Sequence, residues 1–153
     1  MTTACQQHSA SFRPIRLAAA LLFLAALPFS ASAQELIEGT TADGATYSVP
    51  AQWVAGETLS VSGAGWTNSR GNRGSIIAVV YDRGGVPSPD PENDEIWLRI
   101  TAKTDGSWSA ELPFPPDAGW KAGETHLVHF LSGSLGRQDK ARGPAVEVTI
   151  IEE

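Results

Sequence analysis

Ser75-Ile76-Ile77-Ala78-Val79-Val80-Tyr81-Asp82 is the stretch of sequence that decides the fold. Its six central residues are apolar and mostly β-branched, which favours an extended strand. Successive residues of a strand point to opposite faces, so an apolar run of this length predicts a strand buried on both sides. Leu127-Val128-His129-Phe130-Leu131 has the same pattern. The two segments therefore predict the central strands of a β-sheet.

Shorter strand segments lie on both sides of these two, and glycine and proline turns separate them. In residues 57–62, leucine and valine share one face while the hydroxyl residues share the other, as expected of a sheet with one hydrated side. Residues 34–45 are polar, and we expect them to form a loose lead-in. The predicted strands, about seven as in a small sandwich, are residues 45–49, 57–62, 75–82, 95–102, 107–112, 125–132 and 145–151.

The first 33 residues have the layout of a secretion signal peptide. Arg13 and Arg16 precede the apolar stretch 17–27, and small residues end at Ala33. The apolar stretch has about 11 residues, against roughly 20 needed to cross a bilayer, so cleavage is favoured over a membrane anchor. We therefore expect a signal peptide at 1–33, a single domain at 34–153, and a mature protein that is secreted or held at the cell surface without a membrane span.

Cysteine and charge content narrow the possible functions. The one cysteine, Cys5, lies in the leader, so the mature domain must fold by packing without a disulfide. Cleavage also removes Arg13 and Arg16, which leaves nine basic against 17 acidic side chains and a formal charge of −8. This charge disfavours nucleic acid as a partner.

Four short motifs combine glycine turns with aromatic or apolar residues. They are Val61-Ser62-Gly63-Ala64-Gly65-Trp66, Thr104-Asp105-Gly106-Ser107-Trp108, Trp120-Lys121-Ala122-Gly123 and Phe130-Leu131-Ser132-Gly133-Ser134-Leu135. In these motifs the chain resembles the immunoglobulin-like domains of secreted and cell-surface proteins of actinobacteria. The resemblance implies an all-β, two-sheet antiparallel sandwich without a disulfide, and a surface-associated module for binding or adhesion.

Basic residues concentrate in loops that an immunoglobulin-like order would bring together. In that order, the loops after the second, fourth and sixth predicted strands meet at one end. A basic end of the domain would attract an anionic cell-envelope polymer or an acidic extracellular protein, and a tryptophan ring there could stack on the ligand. Ordinary solvation of charged loops is the alternative. The ligand-binding candidates are Trp66, Arg70, Arg73, Arg137, Lys140 and Arg142.

The outer face of the sheet that holds the two apolar strands is a second candidate surface. Alternation in residues 95–102 directs Trp97 and Arg99 away from the core, and an exposed apolar face would suit a weak homodimer or a protein partner. The lead-in or the loop after residue 82 covers this face in the alternative interpretation. The interface candidates are Trp97, Arg99, Leu127, His129 and Leu131.

Metal and catalytic patterns are weak. Residues 90–95 alternate carboxylates as a calcium loop does, but they lack its glycine, so a solvated acidic loop is favoured and calcium stays open. His126 and His129 are three apart and point to opposite faces of a strand, which favours structural roles. We expect no metal and no cofactor.

Residues of the types used in nucleophilic hydrolysis do occur near the sixth predicted strand. Ser132, Ser134 and Asp139 lie with His129 on that strand and its loop, without the sharp turn that exposes a nucleophile. We therefore expect a non-catalytic binding or adhesion module. The alternatives are a carrier of a small ligand, which needs a cleft, and a structural interaction protein that pairs through the outer sheet face.

Overall fold

The chain forms two β-sheets that pack on one hydrophobic core. The computed structural model describes residues 34–88, 95–136 and 138–153. A four-stranded sheet has the order β1-β2-β4-β7, and a five-stranded sheet has the order β3-β9-β8-β5-β6. The strands are β1 (Leu36–Thr40), β2 (Thr46–Pro50), β3 (Gln52–Val54), β4 (Leu59–Ala64), β5 (Ile76–Tyr81), β6 (Leu98–Thr101), β7 (Trp108–Leu112), β8 (Thr125–Leu131) and β9 (Ala145–Ile151), and a single 3₁₀ turn (Asp82–Gly84) follows β5.

The core lies between the inner faces of the two sheets. Every second residue of β4 and β7 points inward, as the hydrophobic alternation predicts. The same cluster takes in side chains from both sheets, including Val49, Leu59, Val61 and Leu112 on one side and Val79, Val128, Phe130 and Val148 on the other. The prediction of an all-β, two-sheet fold is therefore confirmed, and packing holds these sheets together.

The two apolar stretches are central strands, as predicted. β5 pairs with β6 and β8, and β8 pairs with β5 and β9. Ile77 and Val79 of β5 belong to the main core, while Ala78 and Val80 form a second buried cluster on the outer face with Ile96. An apolar run is needed here because both faces of the strand exclude water.

The expectation of a loose lead-in is wrong. Residues 36–40 form β1, which pairs antiparallel with β2, and Ile37 packs against the core. A further short strand, β3, pairs parallel with β9 and buries Trp53 completely. The described residues form nine strands where about seven were predicted. The added strands extend one sheet by a hairpin and cover one edge of the other.

The outward orientation predicted for Trp97 is also wrong, because the strand contains a bulge. Leu98 is the pairing partner of Val79, yet the Trp97 amide also donates to the Val79 carbonyl. Two residues opposing one is the arrangement of a β-bulge, which shifts the alternation by one residue. Trp97 and Leu98 therefore both pack against the core, and Ile96 turns to the outer face.

Candidate ligand-binding cleft

Four segments meet at one end of the fold, which we call the loop pole (residues 41–45, 65–75, 102–107 and 132–144, apart from Arg137). The Ser69 amide donates to the Gln138 carbonyl and the Trp66 amide to the Gly106 carbonyl. The Ala102 amide donates to the Ser75 carbonyl. The predicted meeting of three loops is thus confirmed. The turn between β1 and β2 is a fourth member that the sequence did not indicate.

Trp66 does not offer a ring to a ligand, so its assignment as a binding residue is wrong. The side chain is fully buried, and its indole Nε1 donates to the Thr46 carbonyl oxygen at 2.8 Å. The ring meets Trp108 edge to face, with centroids 5.7 Å apart. Trp66 is therefore a core residue that anchors the first turn of the loop pole.

Arg142 is likewise withdrawn from solvent, with only 1% of its side chain exposed. Its Nε donates to both carboxylate oxygens of Asp43 at 2.9 and 3.1 Å, and Nη2 donates to Oδ2 at 2.7 Å. Hydrogen bonding to Arg142 holds the pKa of the Asp43 carboxyl well below its usual range, against the opposing effect of burial. The prediction that Arg142 contacts a ligand is wrong, because Asp43 occupies its guanidinium.

The remaining donors of Arg142 join the other loops. Nη1 donates to Ser75 Oγ at 3.1 Å, and Nη2 donates to the Thr67 carbonyl at 3.0 Å. The guanidinium also lies 5.2 Å from the centroid of the Trp66 ring. One buried side chain thus ties three segments of the loop pole together.

The predicted ligand-binding roles of Lys140 and Arg137 stay predictions, for different reasons. The Lys140 ammonium lies 3.1 Å from Asp43 Oδ2 and its side chain is 37% exposed, so it can face solvent while it pairs. Arg137 lies outside the described residues. Of the five predicted ligand-binding residues that the structure describes, Arg70 and Arg73 are the basic ones classed as exposed.

Arg70 and Arg73 line one open cleft of about 620 Å³. Its other described lining residues are Asn68, Asn72 and Gln138, all of which carry a carboxamide. Sequence reasoning missed these amides, although a segment rich in asparagine and glycine around two arginines is typical of a functional turn. The cleft therefore offers guanidinium and amide groups.

Local hydrogen bonds hold the cleft loop in one shape. Asn68 Oδ1 accepts a hydrogen bond from the Asn72 backbone N–H at 3.2 Å, and Asn68 Nδ2 donates to Asn72 Oδ1 at 3.0 Å. Gly71 takes a φ of 67°, which glycine adopts without the steric cost of a side chain. The Asn68 backbone N–H donates to the Arg73 carbonyl oxygen and closes the turn. Both arginines are thus presented from a braced loop.

A buried carboxylate lies behind Arg73. The side chain of Asp139 is fully buried, and its Oδ2 accepts from the Ile76 amide at 2.9 Å. The other oxygen, Oδ1, has no hydrogen-bond partner among the described residues and lies 3.9 Å from Arg73 Nη2. Arg73 itself is 54% exposed. Asp139 therefore attracts the Arg73 guanidinium towards the cleft wall while leaving its outer side accessible.

The predicted interface on the outer sheet face is partly covered. Ala78 and Val80 are buried beneath Ile96 and the nearby Leu135. Ile96, which precedes β6, thus covers part of this face, in keeping with part of the alternative. Of the interface candidates, Arg99 and Leu131 are exposed and Leu127 is half-buried.

His129 is half-buried on that face, and its buried Nε2 has no hydrogen-bond partner within the part of the chain that the structure describes. Burial lowers the pKa of its imidazole, and the nearby Arg83 lowers it further. His126 instead contacts Asp82 Oδ2 through Nδ1 at 2.8 Å and stacks on Trp120. The two histidines thus have different surroundings.

Residues 34–88, 95–136 and 138–153 contain no group of three metal-ligating side chains. Most of the acidic segment 90–95 lies outside the described residues, so calcium there stays a sequence-based hypothesis. In the same described ranges, no helix is long and apolar enough to cross a membrane. No family model, curated protein or solved structure matches the chain.

Proposed function

We propose that the chain is an exported, non-catalytic binding module of immunoglobulin-like fold that holds an anionic polymer of the cell envelope. The binding surface is the cleft lined by Asn68, Arg70, Asn72, Arg73 and Gln138. Export rests on the signal-like residues 1–33 of the sequence. Release or retention at the surface is then decided by the strength of polymer binding.

Strand order supports the immunoglobulin-like assignment. In such domains, strands B and E share one sheet while C, F and G share the other. β4 and β7 are neighbours in the four-stranded sheet, and β5, β8 and β9 are successive in the five-stranded sheet. β6 extends the second sheet beyond β5, as strand C′ does in variable-type domains.

The observation that carries the binding proposal is the pairing of two exposed guanidinium groups with three carboxamides in one cleft. Guanidinium groups bind carboxylates and phosphates through two parallel hydrogen bonds. Carboxamides both donate and accept, so they suit the hydroxyl groups of a sugar chain. A polymer that carries acidic groups on a hydroxylated backbone matches both kinds of donor.

Charge distribution supports an anionic ligand at this place. The whole chain carries a formal charge of −6, so most of its surface repels a polyanion. Arg70 and Arg73 are exposed at the loop pole, and Lys140 is near them on the chain segment of Gln138. A polyanion would therefore be directed to the cleft and kept off the rest of the domain.

The side chains of the cleft favour binding over catalysis. Guanidinium groups stay protonated at neutral pH, and carboxamides do not act as bases. The buried Asp139 carboxylate lies 3.9 Å from Arg73 Nη2 and accepts a hydrogen bond from a backbone amide. These groups can orient a polymer and hold it.

The proposal predicts that reversing both cleft charges strongly weakens polyanion binding. Polygalacturonate is a suitable probe, measured against the purified protein by isothermal titration at low and high salt. R70E/R73E should weaken binding at least about tenfold, since each charge-assisted contact contributes about 1.5–3 kcal/mol. Binding by the unchanged protein should also weaken as ionic strength rises from about 0.05 M to about 0.5 M.

K121E is the matched control, because Lys121 is exposed in the loop before β8, at the other end of the fold. It makes the same change in net charge per site and should bind as the unchanged protein does. Equal losses of affinity in R70E/R73E and K121E would show that the effect comes from net charge alone. Unchanged binding by R70E/R73E would refute the cleft as the site.

A further inference from the structure

A second cavity, of about 370 Å³, lies at the end of the fold opposite the loop pole. It is bounded by the segments after β5, before β6 and after β7. Most of its described wall is hydrocarbon, from Val86, Pro87, Trp97, Pro116 and Ala118. Small-molecule sites are typically concave and mostly apolar, with volumes of roughly 300–1,000 Å³. This cavity has the size and chemistry of such a site.

Trp97 gives the cavity a fixed aromatic wall. Its indole Nε1 donates to the Val86 carbonyl at 3.0 Å, so the ring needs no hydrogen bond from a ligand. The ring also stacks on Tyr81, with centroids 5.1 Å apart and planes inclined by 29°. Pro87 and Pro116 add two rigid rings to the wall. Ligand binding here therefore costs little side-chain entropy, because the wall is already ordered.

Charge at this cavity is of one sign. Asp117 contributes the charged group among the described lining residues, and Ser88 is the other polar one. Asp117 is exposed, so its carboxylate can meet a ligand without desolvation of a buried ion. Tryptophan rings attract cations through their electron-rich faces. An apolar group that carries a positive charge complements both features.

We propose that the Trp97 cavity binds a small amphiphilic cation, such as an aromatic or alkyl quaternary ammonium compound or amine. The apolar part of the ligand packs against Trp97 and the two prolines, and its cationic part lies beside Asp117. This site is independent of the polymer cleft, which lies at the other end of the fold and carries the opposite charge. The protein thus has one site for an anion and one for a cation.

Three ring compounds of similar size test the proposal: benzyltrimethylammonium, benzyl alcohol and benzenesulfonate. Binding is followed by the shift of the Trp97 indole N–H signal in NMR, which W97F identifies by its disappearance. The cation should bind at least about tenfold more tightly than the neutral compound, and the anion should bind most weakly. Equal binding of all three, or no shift at the Trp97 signal with the cation, would overturn the proposal.

Asp117→Asn separates the charge from the shape of the cavity. D117N should weaken binding of the cation by about three- to tenfold and leave benzyl alcohol unchanged. E147Q is the control, because Glu147 is an exposed carboxylate on β9 that is not among the described lining residues. A loss of cation affinity in E147Q equal to that in D117N would refute a local role for Asp117.

Discussion

Replacing Arg142 with alanine should lower the free energy of unfolding by about 3 kcal/mol, the lower end of the range for breaking a buried ion pair. The variant loses three hydrogen bonds to Asp43 and the contacts with Ser75 and Thr67. The lower end applies because the Asp43 side chain is 29% exposed and can regain water. Urea unfolding, followed by intrinsic fluorescence, measures the loss as a shift of the midpoint.

Lys140→Ala is the matched control for this prediction. Lys140 pairs with the same carboxylate but is 37% exposed, so its loss should cost at most about 1 kcal/mol. A midpoint for R142A that lies close to that of K140A would contradict the structural role of Arg142.

The effect of Arg142→Ala should also depend on pH. Folding lowers the pKa of Asp43, so its pairing stabilises the fold fully above the unfolded value of about 3.9. The stabilisation is lost as the pH falls through the lower folded pKa. The difference in free energy of unfolding between the unchanged protein and R142A should therefore narrow below about pH 4. A difference that stayed constant down to pH 2 would show that the carboxylate plays no part in it.

Strands with strong local patterns could be predicted from the sequence. The boundaries predicted for the last strand, residues 145–151, are those of β9. The predicted strand at 107–112 contains β7, with Trp108 and Leu112 facing inward as the alternation indicates. In these segments a single face is buried, so the local period of two carries the information.

The two strands that the sequence did not indicate lack such a pattern. β1 has one residue, Ile37, packed on the core, and its fourth residue is Gly39. A side chain at Gly39 would overlap the end of the Tyr47 side chain on the neighbouring strand, so the Tyr47 ring would have to shift to admit one. β3 is three residues long and pairs with β9 at the far end of the sequence. β3 therefore depends on a partner that no local window includes, whereas β1 pairs with its neighbour β2 but has too few core residues to show a hydrophobic alternation.

The environments of the candidate binding residues at the loop pole also could not be predicted from the local sequence. Arg142 looked like a free cation because its carboxylate partner, Asp43, is 99 residues away in the sequence. The burial of Trp66 likewise depends on Trp108 and on the Thr46 carbonyl. The sequence predicted that these residues gather at one end of the fold, but only packing separates the buried pair from the exposed Arg70 and Arg73. The buried residues brace the loops that present the exposed ones.

Trp108→Ala should be among the most damaging single substitutions in the domain, at about 3–5 kcal/mol of unfolding free energy. Trp108 is 4% exposed and fills the space between Trp66 and Phe130, with ring centroids 5.7 and 5.4 Å away. Alanine would leave a cavity beneath the loop pole, because Trp66 loses its edge-to-face partner. The urea midpoint should fall accordingly, and a midpoint that barely moves would show that β7 does not carry this packing.

Trp108→Phe isolates the contribution of ring size. The buried Trp108 indole Nε1 has no hydrogen-bond partner in residues 34–88, 95–136 and 138–153, so phenylalanine loses packing volume but also removes an unsatisfied donor. We therefore expect a loss of only about 1–2 kcal/mol. Ser109→Ala, at the exposed neighbouring position, should change stability by less than about 0.5 kcal/mol. The loss of unfolding free energy should be largest for alanine at 108, smaller for phenylalanine at 108 and smallest for alanine at 109. Equal losses at the two positions would contradict the inward orientation of Trp108, because only a buried ring gives a cost that depends on its size.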